Sequence, residues 1–335
     1  MDGIILQILN GLDKGSAYAL IALGLTLIFG TLGVVNFAHG ALFMIGAFCA
    51  VFVQRLLNLS FETVDPGKTD FLGNPSMVKT PYIESWFGHD IGSAIIDWSV
   101  PLAVLFSIPV MILIGFVMER GLIKHFYKRE HADQILVTFG LAIVLQEVIK
   151  AFYGANPIQT PAPEALSGIA TLADGIVYPV WRIVYFCFAT VIIGGVFAFL
   201  RFTTFGMVVR AGMEDRETVG LLGINIDRRF TIMFGIAAAV AGMAGVMYGP
   251  INAPNYHMGM DFLVLSFVVV VVGGMGSLPG AVAAGFLLGI LESFASTTWA
   301  TTTIPGINQI IIYLVAIIIL LTRPRGLLGK KGVME

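Results

Sequence analysis

Few residues in this chain combine a chargeable side chain with a place inside apolar sequence. His39 lies between Asn36 and Gly40, where glycine and polar residues interrupt an apolar run. A lone histidine there reads first as a hydrogen-bonding link between helices and second as a group on a polar path. Glu147 and Lys150 stand three apart in one apolar segment, a spacing that lets them pair on a helix. Glu292 lies in the second half of another. Cys49 and Cys187 sit singly in apolar runs and read as small hydrophobes packed between helices. No carboxylate pair, metal-ligand cluster or nucleophile–base arrangement occurs in the apolar segments. Catalysis, metal and cofactor are therefore not expected. The phosphate-cradling Gly-x-x-x-x-Gly-Lys-Ser/Thr loop is missing too, so any ATP hydrolysis is expected on another polypeptide.

The elements that must position these residues are membrane helices. The 335 residues are 57% hydrophobic and 12% charged, against about 25% charged in a soluble domain. A spanning helix needs about 20 mostly apolar residues. Such runs occupy 15–33, 36–55, 99–119, 134–153, 182–200, 230–250, 278–296 and 304–321. A shorter run at 262–272 reads as a short span or a re-entrant half-helix, and 1–14 is a weaker candidate, broken by Asp13 and Lys14. The expectation is an all-α polytopic transmembrane bundle of about eight or nine spans, with residues 1–335 forming a single membrane domain in the lipid bilayer. Met1-Asp2-Gly3 lacks a basic n-region, so the first run is read as mature protein.

Lys and Arg collect in three connections: Arg120, Lys124, Lys128 and Arg129; then Arg201, Arg210, Arg216, Arg228 and Arg229; and last Arg323, Arg325, Lys330 and Lys331. Connection 56–98 is acidic instead, with Glu62, Asp65, Asp70, Glu84, Asp90 and Asp97, and connection 154–181 holds Glu164 and Asp174. The positive-inside rule puts the basic connections and the C-terminus in the cytoplasm and the acidic loop 56–98 outside. The net charge of −2 gives no reason to expect nucleic acid.

Two interruptions resemble each other. Asn36, His39 and Gly40 break the first half, and Gly276, Ser277 and Gly280 break the second, with His39-Gly40-Ala41 opposite Pro279-Gly280-Ala281. Paired breaks of this kind point to a translocation path; the alternative is two tight turns near the membrane surface. Almost no titratable group is expected deep in the membrane, which speaks against a secondary transporter. A channel remains the other class, with 273–276 as its filter. Within loop 201–229, residues 212–222 read as a short amphipathic helix stopped by Gly223. Such a helix suits docking into a groove on a soluble partner or lying on the headgroups.

The order Arg210-Ala211-x-Met213-Glu214-Asp215, then Leu221-Leu222-Gly223-Ile224-Asn225, resembles the coupling loop of the branched-chain amino acid ABC transporter permeases, specifically the first permease type. Gly15–Gly30, Val35–Ala47, Gly273–Gly280 and the end Thr322-Arg-Pro-Arg-Gly-Leu-Leu-Gly329 resemble the family in the same order. The resemblance implies a permease subunit in the inner membrane, beside a second related permease. Two cytoplasmic ATPases would contact the coupling loop, and an external substrate-binding protein would deliver the cargo. Close relatives carry urea or short amides, and the sequence leaves that choice open. Loop 56–98 is longer and more acidic than the resemblance leads one to expect, and is read as helping to receive the binding protein.

Overall fold

The computed structural model describes residues 2–69, 75–127, 129–172 and 175–329. Asp70, Lys128, Asp174, Lys330 and Lys331, part of the charge pattern above, lie outside the described residues. The chain is built of helices, as its apolar runs dictate. The first, α1 (Asp2–Leu32), absorbs the weak 1–14 candidate into one continuous helix of 31 residues. A short connection leads to α2 (His39–Leu57). The acidic loop then folds as an antiparallel hairpin, β1 (Ser60–Thr69) with β2 (Pro75–Pro81), in register from Ser60 opposite Pro81 to Asp65 opposite Ser76. Two short helices follow, α3 (Tyr82–Phe87) and α4 (His89–Asp97).

Next come α5 (Ser99–Gly121) and α6 (His131–Tyr153), a small ribbon of β3 (Ile169–Thr171) and β4 (Val177–Pro179), and α7 (Val180–Phe202). The basic loop carries α8 (Thr204–Glu214) and α9 (Arg216–Leu221). The chain closes with α10 (Ile226–Tyr248), α11 (Met258–Gly273), α12 (Leu278–Ala295), the short α13 (Thr298–Thr303) and α14 (Ile307–Thr322). Among the described residues, seven helices are long and apolar enough to cross a membrane. The shorter α11 and α14 add two apolar helices of 16 residues. The chain is a multi-pass membrane protein.

Helices α1 and α10 are buried on nearly every side, whereas α6 presents most of its surface outward. Glycine sets how closely the central helices approach. A Cβ on Gly46 of α2 would lie 2.1 Å from the Gly242 carbonyl of α10, and one on Gly289 of α12 would lie 2.4 Å from the Gly15 nitrogen of α1. In lipid, where apolar surface gains nothing by leaving a solvent that is itself apolar, such backbone proximity supplies the packing contacts. Cys49 is buried as expected, but Cys187 is exposed on the outward face of α7.

Candidate functional site

The two breaks share a local design. In the first, Asn36 Oδ1 accepts a hydrogen bond from the Ala38 amide (3.0 Å), just ahead of α2. In the second, Ser277 Oγ accepts from the Gly280 amide (3.2 Å) and caps α12. Both satisfy amides that a helix start leaves open. Gly274 and Gly276 take φ of 101° and 82°, which lets the chain reverse between α11 and α12. The C-terminal segment then folds beneath this turn. The amides of Leu327 and Leu328 donate to the carbonyls of Val272 (2.8 Å) and Gly273 (3.1 Å), closing the open end of α11.

The surroundings of the breaks differ. Asn36 and His39 are wholly buried, His39 against Gly24 of α1. A Cβ on Gly40 would meet the Gly259 carbonyl at 2.1 Å, and one on Gly280 would meet the Gly273 carbonyl at the same distance. These glycines are close-approach residues between helices. Gly276 and Ser277, by contrast, border a cavity of about 1000 Å³.

That cavity gathers two sets of residues that the sequence placed far apart. One wall is Gly276 to Pro279, and another is the end of α1 with Thr26 and Thr31. The third comes from α8 and carries Arg210, Ala211, Met213 and Glu214, with Arg201 where α7 ends. The walls are mainly apolar, through Leu27, Phe197 and Leu200 among others. A Cβ on Gly30 would lie 2.8 Å from the Met213 Cε on one side and 3.8 Å from the Gly276 Cα on the other. Gly30 of α1 is thus wedged between the loop helix and the second break. Asn36, His39, Gly40 and Gly280 are not among the cavity residues.

The loop helix is not the single segment 212–222. It breaks at Asp215, which is extended (φ −149°), into α8 and α9. Asp215 holds the start of α9: its Oδ1 accepts from the Thr218 amide (3.0 Å) and its Oδ2 from the Thr218 hydroxyl. Gly223, at φ +77°, stops α9 as the sequence indicated. Leu221 and Leu222 project outward, 83% and 73% exposed, although both are apolar. Thr203 Oγ1 accepts from the Gly206 amide (3.0 Å), and Gly206 packs on the Leu200 carbonyl, so the turn from α7 into α8 is tight.

Sequence reasoning missed the charge network at the other end of the bundle. Glu147 and Lys150 pair as expected, 3.3 Å apart. The adjacent Asp13 and Lys14 of α1 reach in different directions. Lys14 Nζ lies 2.7 Å from Glu292 Oε1 of α12, and the Tyr18 hydroxyl donates to the other oxygen of the same carboxylate. Asp13 faces Arg182 of α7. Glu292 lies in the last turn of α12 and Arg182 in the first turn of α7, so the network sits where these helices end. The usable signal was the alternation of sign at Asp13-Lys14 together with the isolated Glu292, each needing a partner in apolar sequence. In the hairpin region, His89 Nδ1 lies 2.8 Å from Glu84 Oε2, and this hydrogen bond raises the imidazole pKa above its ordinary value.

Residues 7–320 match the family model described as branched-chain amino acid transport system / permease component. The chain is 29% identical to the high-affinity branched-chain amino acid transport system permease protein BraD of Pseudomonas aeruginosa, across 98% of this chain and 96% of that one. It is 27% identical to the permease protein LivH of Escherichia coli K12 and 26% identical to LivH of Salmonella typhimurium, each across 98% of this chain and 96% of the relative. No solved structure matches the chain.

Proposed function

Because the chain belongs to the family of branched-chain amino acid transport system permease components, we propose that it is one membrane subunit of an ATP-driven importer whose cargo is a branched-chain amino acid. The observation that carries this reading furthest is the contact series from Met213 through Gly30 to Gly276. A partner that moves α8 must move a wall of the cavity that the second break also lines. Because Gly206 and Thr203 tie α8 tightly to α7, the push arrives as a rigid displacement, the form of motion that switches packed elements between discrete states.

The partners follow from the same reading. ATP is hydrolysed by two cytoplasmic ATPases, because this chain has no phosphate-cradling loop, and the chain itself is not an enzyme and holds no cofactor. The exposed Leu221, which ends α9, and the adjoining Leu222 insert into a groove of one ATPase. A second, related permease completes the path, and an external binding protein delivers the cargo to the hairpin end. The basic end and the C-terminus are cytoplasmic in the inner membrane, by the distribution of Lys and Arg.

Purification in mild detergent tests the assembly. Two ATPases and a second permease should copurify, and a cysteine at Leu221 should crosslink to an ATPase. A chain that purifies alone and transports alone would defeat the proposal.

A further inference from the structure

Asp13 and Lys14 are neighbours with different company. The Lys14–Glu292 pair is short, at 2.7 Å, and supported by Tyr18. The Asp13–Arg182 pair is long, at 3.4 Å, where a charge-assisted N–H···O bond spans about 2.7–2.9 Å. Arg182 donates instead to Asn10 Oδ1 at 3.2 Å. Asp13 has a side chain only 4% exposed, and its Oδ1 has no hydrogen-bond partner. The hydroxyl of Tyr185 on α7 is buried and without a partner as well. Tyr185 follows Arg182 by three residues and so shares its face of α7.

Buried polar atoms are nearly always paired, and an unpaired carboxylate oxygen costs more than a neutral group. A pair built only to hold α1 to α7 would close to hydrogen-bonding distance and use both oxygens. Here a carboxylate oxygen and the Tyr185 phenol are left unpaired beside a guanidinium that is 35% exposed. The neighbours of Tyr185 are aromatic. Tyr185 meets Tyr248 with centroids 5.7 Å apart, and Tyr248 meets Phe262 at 5.2 Å.

We propose that Asp13 and Arg182, with the hydroxyl of Tyr185, form a receiving site for a zwitterionic α-amino acid at the hairpin end of the bundle. The proposal rests on the reading of the cargo as an amino acid. An ammonium group has three donors, two of which match the unpaired Asp13 oxygen and the Tyr185 phenol oxygen. The cargo carboxylate takes Arg182, and an apolar side chain lies against Tyr248 and Phe262. The exchange is charge-neutral: the zwitterion replaces one internal ion pair with two, and no buried charge is left alone. Because the internal pair competes with the cargo, binding is weak, as suits a site that passes its ligand onward.

The test uses the complete transporter with its binding protein in proteoliposomes. The double variant Asp13→Asn/Arg182→Gln removes both charges and orphans neither. It should assemble with its partner subunits in normal yield, yet take up leucine at least about tenfold more slowly, the scale of one lost charge-assisted contact. Tyr185→Phe, which deletes a single hydroxyl, should raise the KM for uptake several-fold. In nanodiscs without the binding protein, the wild-type complex should bind leucine and not leucinamide, whose carboxylate is replaced. Wild-type uptake by the double variant, or an unchanged KM in Tyr185→Phe, would show the pair to be structural and overturn the site alone. A wild-type complex that accumulates no amino acid would overturn the functional reading and the site together.

Discussion

Removing Glu292 measures how much the charge network holds the bundle together. Its carboxylate, 14% exposed, takes Lys14 at 2.7 Å and the Tyr18 hydroxyl. It bridges α12 to α1 beside the close contacts at Gly11, Gly15, Gly285 and Gly289. Glu292→Ala leaves a lysine without its counter-charge and a buried phenol without its acceptor. Breaking a fully buried pair costs about 3–5 kcal/mol. Lys14 is 33% exposed, so water recovers part of that, and about 2–3 kcal/mol is expected. Lys14→Met/Glu292→Leu replaces both charges with apolar groups and should cost less than about 1 kcal/mol, as apolar replacement of buried pairs does. Equilibrium unfolding of Lys14→Met, Glu292→Leu and the double, by sodium dodecyl sulfate titration in mixed micelles, gives the coupling energy. Single variants each costing under about 0.5 kcal/mol and adding in the double would refute the reasoning, because α1 and α12 would then be held by backbone packing alone.

Gly30→Ala places a Cβ against the flexible end of Met213; the complex should assemble, with less cargo moved per ATP hydrolysed in proteoliposomes. Gly40→Ala forces a Cβ to 2.1 Å from the Gly259 carbonyl and should destabilise by about 1–3 kcal/mol, whereas Gly194→Ala, with open space around it, should change stability by less than about 0.5 kcal/mol; monodisperse yield and unfolding midpoints separate the two. Gly223→Ala strains a φ of +77° by about 1–2 kcal/mol and should lower binding-protein-stimulated ATPase activity more than it lowers complex yield. Glu84 raises the pKa of His89, so the link is fully present below the ordinary histidine value and is lost as pH rises through the raised value. Protection factors for amide exchange across 82–97, corrected for the intrinsic pH dependence of exchange, should therefore fall on going from about pH 6 to pH 8, and His89→Gln should remove that fall.

The class of the protein was legible in its sequence because apolar runs longer than a bilayer is thick admit no other reading. So was the stop at Gly223, which follows from its position after an amphipathic stretch. Contacts across the fold were not legible. Lys14 and Glu292 are 278 residues apart, and nothing local to either names the other. The division of the loop helix at Asp215 had a local signal that went unused, since Asp is a strong helix-starting residue and Thr218 lies three residues on. The hairpin within 56–98 and the packing role of Gly40 both depend on neighbours that the sequence does not specify. The likeness between the two breaks survives in a side chain that accepts an amide just ahead of each helix and fails in their surroundings, because the second borders the cavity at α8 and the first does not.

The most direct test of the account is uptake by proteoliposomes that contain this chain, its partner permease and two ATPases. Accumulation of leucine, isoleucine or valine should require both ATP inside and binding protein outside, and should stop when the ATPases cannot hydrolyse. Accumulation without ATP, or uptake of urea in place of these amino acids, would contradict it.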